Sequence, residues 1–330
     1  MASALFRAAR IRAKVQESMS DTRNAWLQIH LCVFLWGFTA ILGKLISLPA
    51  VTLVLWRMLL VALLLFCVPK VWRGLLALSA RHLFAFAGVG VLVALHWVTF
   101  YGAVKLANAS VAATCMALAP LFLCVLEPMI TGRPFVLREL IIGLLVIPGI
   151  ALLVGGTPEQ MNLGVMIGVV SALLTALFAA FNKRLILRTD ALTATAIEML
   201  SGGLFVLAIA IVFSALISPE WESSAFLPSA TSLFAMPNQQ DLLYLIGLAS
   251  LCTLLPFALS LRALRHLSAY ASSLAVNMEP IYAIILAILI LDEQKELEMS
   301  FYVGASIILL VVFMYPLVSK KWRSQGSTLQ

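Results

Sequence analysis

The sequence predicts an all-α membrane protein in which ten transmembrane helices form two five-helix inverted repeats, with the N and C termini in the cytoplasm. Of the 330 residues, 62% are hydrophobic and 11% are charged, against roughly 45–50% and about 25% in an ordinary globular domain. The apolar residues fall into long runs, the basic residues alternate between connecting segments, and the second half repeats the first. This composition excludes a soluble globular, disordered or collagen-like chain.

Ten apolar runs are long enough for transmembrane helices, which need about 20 apolar residues each. The runs are continuous and lack the two-residue alternation of a membrane barrel strand, so helices are favoured over strands. They cover residues 25–46, 49–69, 83–105, 108–131, 138–156, 161–183, 190–217, 241–261, 268–291 and 299–319.

Short polar segments divide these runs into two halves. The linker 157–160 separates a first five-helix repeat (25–156) from a second (161–319), and residues 320–330 form a cytoplasmic tail. Residues 1–24 are basic and lack the apolar core of a secretory signal. They are interpreted as a cytoplasmic extension, with a transit peptide or a start at Met19 as the alternatives.

The basic residues predict the orientation of the helices. Eighteen of the 22 lie at the two termini or in every second connection, whereas only Lys44, Lys105 and Lys295 lie in the other connections. Because cytoplasmic loops are enriched in Lys and Arg, this alternation predicts ten spans with both termini inside. The last basic residue, Arg57, lies within the second span. The net charge of +7 therefore reflects topology and does not indicate a nucleic-acid partner.

The two halves of the chain share a sequence pattern. Residues 103–120 align with residues 263–280 at a constant offset of 160, which pairs Pro120 with Pro280. Each half has an odd number of helices, so the second copy enters the membrane from the opposite side. Inverted repeats are typical of secondary transporters, whose substrate site lies near the membrane midplane between the repeats.

A series of short motifs resembles the drug/metabolite transporter superfamily, as two tandem EamA-type domains over about residues 25–319. In chain order the motifs are Leu35-Trp36-Gly37, Leu55-Trp56-Arg57, Asn108–Phe122, its repeat at Ser268–Tyr282, and Leu291-Asp292-Glu293. The first half departs from the pattern, because it closes with Thr131-Gly132-Arg133-Pro134 and lacks the acidic residue. The resemblance implies a ten-helix carrier of small organic metabolites, often an exporter of amino acids or related compounds.

Two ionisable residues inside the spans are the first candidates for substrate binding. A charged group in the bilayer costs roughly 2.5–3.5 kcal/mol on insertion scales, so each is expected to have a purpose. Arg57 could bind a carboxylate or phosphate of the substrate, form a structural ion pair, or extend toward the interface. Glu279 could bind a substrate amine, titrate during transport, or remain a neutral buried acid.

The third predicted span contains an aromatic wall. Trp97 and Tyr101 are four residues apart and share a helix face, and His96 lies beside Trp97. These side chains suit a mid-sized organic ligand or a proton step, although an isolated histidine in a helical core is also a common packing residue. The further substrate-binding candidates are Trp36 and Asn277, and the candidate helix breaks or hinges are Pro120, Pro256 and Pro280.

Other residues within the spans predict structural roles. Glu127 and Glu198 are predicted to pair with loop arginines. Close helix contacts are predicted at Gly88, Gly90, Gly143, Gly202 and Gly203. The five cysteines lie inside apolar runs without metal-ligand spacing, so neither a metal nor another cofactor is predicted.

These features together predict a secondary carrier that exports a small organic metabolite, an amino acid or related compound, by alternating access. A nucleotide-sugar or sugar-phosphate exchanger is the alternative, which would need further cations in the cavity, such as Lys44 and Lys105. An intramembrane enzyme is a remote alternative, because the sequence lacks HExxH and GxSxG motifs. The expected partners are a small-molecule substrate, the lipid bilayer and protons as a candidate coupling ion. The expected form is a monomer or homodimer in the bacterial cytoplasmic (inner) membrane.

Overall fold

Every regular element is helical in the part of the chain described by the computed structural model, which comprises residues 2–216, 236–263, 275–276 and 278–326. The first half forms α1 (Ala2–Leu45), α2 (Ala50–Phe66), α3 (Pro69–Ala77), α4 (Ala80–Leu106), α5 (Ala109–Met116), α6 (Ala119–Thr131), α7 (Leu137–Leu144) and α8 (Ile147–Gly155). The second half forms α9 (Asn162–Leu185), α10 (Ala191–Leu216), α11 (Gln239–Ala249), α12 (Leu255–Ala263), α13 (Glu279–Leu291) and α14 (Met299–Gly326).

Six helical stretches in these residues are long and apolar enough to cross a membrane, and α2 with α3 makes a seventh if the bent pair is one span. The six are Arg23–Leu45, Ala80–Leu106, Ala109–Thr131, Leu137–Gly155, Glu159–Leu185 and Ala191–Val212. Two further helices, Glu279–Leu291 and Met299–Val311, are apolar but shorter. The protein is therefore an all-α, multi-pass membrane protein, and the count of ten spans and the side of the termini remain predictions.

Two of the predicted spans are broken in the middle. The run 108–131 is divided into α5 and α6, and the run 138–156 into α7 and α8. The second piece of each has a proline in its first turn, Pro120 in α6 and Pro148 in α8. Because proline lacks an N–H and clashes with the preceding turn, the helix before it ends and a new one begins.

The internal repeat is visible in the backbone of α6 and α13. Both helices have 13 residues and their bounds differ by the offset of 160. Each follows a residue with nearly the same backbone angles, Leu118 at φ −80° and ψ −14° and Met278 at φ −78° and ψ −15°. Each ends at a residue with positive φ, Gly132 at 77° and Asp292 at 57°. The two halves therefore share this local structure as well as their sequence pattern.

Helices of the two halves pack directly against each other. In particular, α4 packs on α9 and α10, α2 on α10, α8 on α14, and α1 on α12 and α13. At the crossing of α4 and α10, a Cβ atom on Gly90 would lie 2.4 Å from the carbonyl oxygen of Glu198. A Cβ on Gly202 would likewise lie 2.5 Å from the carbonyl oxygen of Gly90. The small residues thus allow backbone contact between the repeats.

The other predicted glycine contacts differ in outcome. A Cβ on Gly143 would lie 2.5 Å from the side chain of Leu121, and a Cβ on Gly203 would lie 3.2 Å from the side chain of Leu59. The prediction for Gly88 is wrong, because a Cβ there would meet nothing within 4 Å. Gly88 and Gly90 are two residues apart in α4, about 200° around the helix, so only one of them can face α10.

Polar contacts gather the connecting segments at two ends of the helix bundle. At the first, which we call the lysine end, the contacts are Lys44 Nζ to Ala107 O (3.4 Å), Lys105 Nζ to Ile46 O, and Ser47 Oγ to Asp241 Oδ2 (2.5 Å). At the second, the arginine end, Arg133 pairs with Glu127 (3.2 Å) and Glu139 (2.6 Å), and Lys70 with Asp190 (3.6 Å). This grouping agrees with the alternation of basic residues, which is the basis of the predicted orientation.

Candidate functional site

Arg57 lies inside the helix bundle, in the eighth position of α2, with 4% of its surface exposed. Its Nε and Nη2 atoms donate hydrogen bonds to Thr253 Oγ1, at 3.1 and 2.8 Å. Its Nη1 atom donates to the hydroxyl oxygen of Tyr101 at 2.7 Å. Thr253 belongs to the second half of the chain and Tyr101 to the first, so the guanidinium group bridges the two repeats.

The aromatic wall predicted on α4 surrounds this guanidinium group. Arg57 Cζ lies 3.7 Å from the ring centroid of Trp97 and 5.7 Å from that of Tyr101. Both rings are almost completely buried. A cation over an aromatic face is stabilised by the ring quadrupole, more strongly where water is excluded. Three of the predicted site residues therefore form one cluster, which we call the Arg57 site.

Thr253 was not predicted as a site residue, because its position depends on a distortion of the helix. Residues Ser250–Leu254 form a π-helical turn, and the Thr253 hydroxyl donates to the carbonyl oxygen of Leu248, five residues earlier, at 2.8 Å. Pro256 follows and has no N–H to donate to the carbonyl of Cys252, which favours such a distortion. Because the hydroxyl hydrogen is used, the lone pairs of Thr253 are left to accept from Arg57. Pro256 was predicted as a helix break, and π-turns of this kind are common at functional sites.

Some hydrogen-bond donors of Arg57 and Tyr101 remain available for a ligand. A guanidinium group has five N–H hydrogens, and the contacts to Thr253 and Tyr101 use three of them. Tyr101 accepts from Arg57, and no acceptor for its own hydroxyl hydrogen is present among the described residues. Two N–H groups and one O–H group can therefore bind an anion.

Glu279 lies at the first position of α13 and supplies the opposite charge. It interacts electrostatically with both Arg57 and Tyr101. Within the described ranges it forms neither an ion pair nor a side-chain hydrogen bond, and its side chain is only half-buried. Its carboxylate is therefore available to a cationic group close to the place where Arg57 can hold an anionic one.

His96 is held by α9, against which α4 packs. Its Nδ1 atom lies 2.9 Å from both Ser171 Oγ and Thr175 Oγ1, and 3.2 Å from the carbonyl oxygen of Ser171. The two hydroxyl groups donate elsewhere, Ser171 to the carbonyl of His96 and Thr175 to that of Ser171. All three neighbours are thus acceptors, which assigns a hydrogen to Nδ1.

The remaining predicted site residues are not part of this cluster. Trp36 packs against a separate core cluster that includes Ile29 and Val33 of α1, and Asn277 lies outside the described residues. Pro120 and Pro280 occupy equivalent positions in the first turns of α6 and α13, just after helix breaks. The described residues contain no group of three His, Cys, Asp or Glu that could hold a metal ion.

The two glutamates predicted to pair with loop arginines differ. Glu127 pairs with Arg133 at 3.2 Å and with Lys183, which confirms that prediction. For Glu198 the prediction is wrong, because in the described part of the chain the only side-chain partner of its carboxyl group is Asn182, at 3.4 Å. Glu198 is 2% exposed, and its backbone lies against Gly90 of α4.

Comparison with known proteins identifies the family. The EamA-like transporter family matches the chain twice, at residues 24–155 and 162–315. The chain belongs to this family. EamA membership points to a membrane transporter with a small-molecule substrate rather than to an enzyme.

The other comparisons concern the fold. A search of curated proteins gives no match. One solved crystal structure is similar to this EamA protein with a TM-score of 0.57 and 13% sequence identity, over 90% of this chain and 98% of the other. At that identity the likeness concerns the fold alone.

Proposed function

We propose that this EamA protein is a secondary carrier that exports a small zwitterionic metabolite, an amino acid or related compound, across the bacterial cytoplasmic membrane. The observation that supports this most is the Arg57 site, where unused guanidinium donors lie near the carboxylate of Glu279. Arg57 and Tyr101 bind the carboxylate of the substrate, and Glu279 binds its amine. Trp97 covers the apolar part, as aromatic side chains do in most small-molecule sites.

Alternating access follows from the position of the site between the repeats. Arg57 is held by Tyr101 in the first half and by Thr253 in the second, so a movement of one half against the other alters its contacts. The helix breaks before Pro120 and Pro280 provide related hinges in the two halves. The carrier works as a monomer or homodimer, with protons as the coupling ion.

The alternative function, exchange of a substrate that contains phosphate, has less support than amino-acid export. A nucleotide-sugar or sugar-phosphate exchanger needs several cations in its cavity, and Lys44 and Lys105 were the candidates. Both ammonium groups instead donate to backbone carbonyl oxygens at the lysine end, those of Ala107 and Ile46. Among the described side chains Arg57 is then left as a single cation, which suits one carboxylate better than a phosphate ester.

An efflux screen tests the proposal, with amino acids, purines and sugars assayed in a host from which related transporters are deleted. An amino acid is expected to be the exported compound. The Arg57→Lys variant retains the positive charge but not the planar guanidinium group with its several N–H donors. The loss of a charged hydrogen bond, about 1.5–3 kcal/mol, lowers substrate affinity roughly 10–150-fold. The Lys44→Gln variant is the matched control and is expected to leave affinity unchanged.

Two outcomes would contradict the proposal. One is transport of purines or sugars with no effect on any amino acid. The other is an Arg57→Ala variant that retains its substrate affinity and loses only protein yield, because Arg57 would then be a structural residue.

A further inference from the structure

Glu198 and Arg57 occupy equivalent positions in the two repeats. Each is the eighth residue of its helix, α2 from Ala50 and α10 from Ala191. One position has a cation with bonded neighbours, whereas the other has a carboxyl group whose surroundings are apolar. The Arg57 site as described above makes no use of Glu198.

The neighbourhood of Glu198 contains no compensating charge. The one electrostatic or hydrogen-bonding partner of its carboxyl group among the described residues is the amide of Asn182 on α9. The helices packed against α10 are α2, α3 and α4. Their ionisable groups and those of α9 do not interact with the carboxyl group: Arg57 on α2, Lys70 and Arg73 on α3, Arg81, His82, His96, Tyr101 and Lys105 on α4, and Lys183 and Arg184 on α9. An ionised carboxylate without a cation is strongly disfavoured in such surroundings, so the closed packing accommodates the protonated acid.

Asn182 is a suitable partner for the protonated acid and a poor one for the carboxylate. Its Nδ2 atom donates to Glu198 Oε2 at 3.4 Å, while its Oδ1 atom is buried and has no partner. A carboxylic acid and a primary amide can form two antiparallel hydrogen bonds, N–H to C=O and O–H to Oδ1. The carboxylate has no donor, so it leaves Oδ1 unsatisfied.

Glu198 also lies at a contact between the repeats. A Cβ on Gly90 of α4 would lie 2.4 Å from the carbonyl oxygen of Glu198 and 2.7 Å from its Cα. Because its backbone is packed against α4 and the residue is 2% exposed, a separation of α4 from α10 changes the surroundings of Glu198. This position links the access of water to Glu198 with the relative movement of the two halves.

We propose that Glu198 and Asn182 form a proton-binding site, separate from the Arg57 site, and that Glu198 carries the coupling proton of the transport cycle. The coupling role rests on the proposed carrier function, whereas proton binding itself does not. When the crossing is closed, Glu198 holds a proton and bonds to Asn182. When it opens, the O–H bond breaks, the proton goes to water and the carboxylate remains on the protein.

Infrared spectroscopy of the full-length protein in lipid vesicles tests proton binding without any substrate. At neutral pH we expect a C=O band of a protonated carboxyl group that is lost in Glu198→Gln. Glu127→Gln is the matched control, since Glu127 is paired with Arg133 and Lys183, and its loss should leave the band unchanged. If Glu198→Gln does not fold, Asn182→Leu keeps the acid and removes its partner, which should move the band to higher frequency. A band that neither variant alters would overturn the proposal.

Transport in the same vesicles tests the coupling role, with radiolabelled amino acids as the probe. Glu198→Gln should retain exchange of amino acid across the membrane but lose all accumulation driven by a pH gradient. Glu279→Gln should instead weaken substrate affinity and keep the response to the gradient. If the wild-type protein moves no amino acid, the proposed function and the coupling role are both wrong, whereas the infrared test of proton binding remains valid. If Glu198→Gln accumulates substrate like the wild type, the coupling role alone is wrong.

Discussion

Glu293 stabilises a helix of the opposite repeat, and its replacement by glutamine tests how much that contact contributes. Its side chain is 1% exposed. The two carboxylate oxygens accept from the backbone N–H groups of Ala109 and Ser110, each at 2.8 Å. These are the first two residues of α5, whose N–H groups have no partner within the helix. A buried anion at this point also interacts favourably with the helix dipole.

The expected magnitude follows from these two bonds. A hydrogen bond to a charged group contributes about 1.5–3 kcal/mol, and glutamine keeps one acceptor while turning an N–H group toward the other backbone donor. Glu293→Gln should therefore lower the free energy of unfolding by about 2–4 kcal/mol. Hydrogen exchange at the amides of Ala109 and Ser110 should rise by a factor of roughly 30 or more, because these amides become exposed by local opening.

Denaturation followed by tryptophan fluorescence, together with hydrogen exchange measured by mass spectrometry on peptides covering 109–116, provides the assay. Glu296→Gln is the control, because Glu296 lies in the same turn, is exposed, and accepts one bond from Asn108 at 3.1 Å. It should change stability by less than about 1 kcal/mol. Equal effects of the two substitutions on exchange in α5 would refute the argument that Glu293 caps this helix.

Four further substitutions test the helix contacts and turns by thermal unfolding in detergent. Gly90→Ala should lower stability by about 1–3 kcal/mol, because the new Cβ would lie 2.4 Å from the backbone of Glu198. Gly88→Ala, where the Cβ meets nothing within 4 Å, should instead raise it by roughly 0.5–1 kcal/mol; equal effects at the two glycines would contradict the packing described. Gly132→Ala should cost about 1–2 kcal/mol because Gly132 has φ +77°. Asp292→Gly, at the equivalent position with φ 57°, should change stability by less than about 1 kcal/mol, and a loss as large as that of Gly132→Ala would argue against backbone strain as the cause.

The helices could be predicted from composition because the bilayer requires long apolar segments that satisfy their own backbone groups. The predicted run 161–183 corresponds to α9 at Asn162–Leu185, and 83–105 to α4 at Ala80–Leu106. Pro120 was a candidate helix break, and α6 begins next to it. The break before Pro148 was not predicted, because hydropathy does not distinguish a continuous helix from two apolar pieces. Both prolines act through the backbone hydrogen bonds that they remove.

The candidate site was predictable where a single residue is unusual for its surroundings. Arg57 and Glu279 were predicted as site residues because they are charged groups within apolar runs, and the spacing of Trp97 and Tyr101 indicated a shared helix face. Thr253 could not be found this way, because a threonine in an apolar helix is ordinary and its role arises from the π-turn and from its proximity to α2. Glu198 was recognised as a charge but assigned the wrong partner, since sequence spacing does not show which cations a folded helix can reach.

Chemical differences between equivalent positions connect the fold to its function. Positions 57 and 198 are the eighth residues of α2 and α10, and the first has a guanidinium group where the second has a carboxyl. Positions 133 and 293 differ by the offset of 160 and show the same difference: Arg133 of the first half pairs with Glu127 and Glu139, while Glu293 of the second half caps α5. Symmetric backbones give two packings of similar energy, but a carrier with identical charges at its equivalent positions would bind its ligand equally from both orientations. In the proposed carrier, opposite charges at these positions would make the two packings respond differently to a proton and to a zwitterion, and a proton gradient would then give transport a direction.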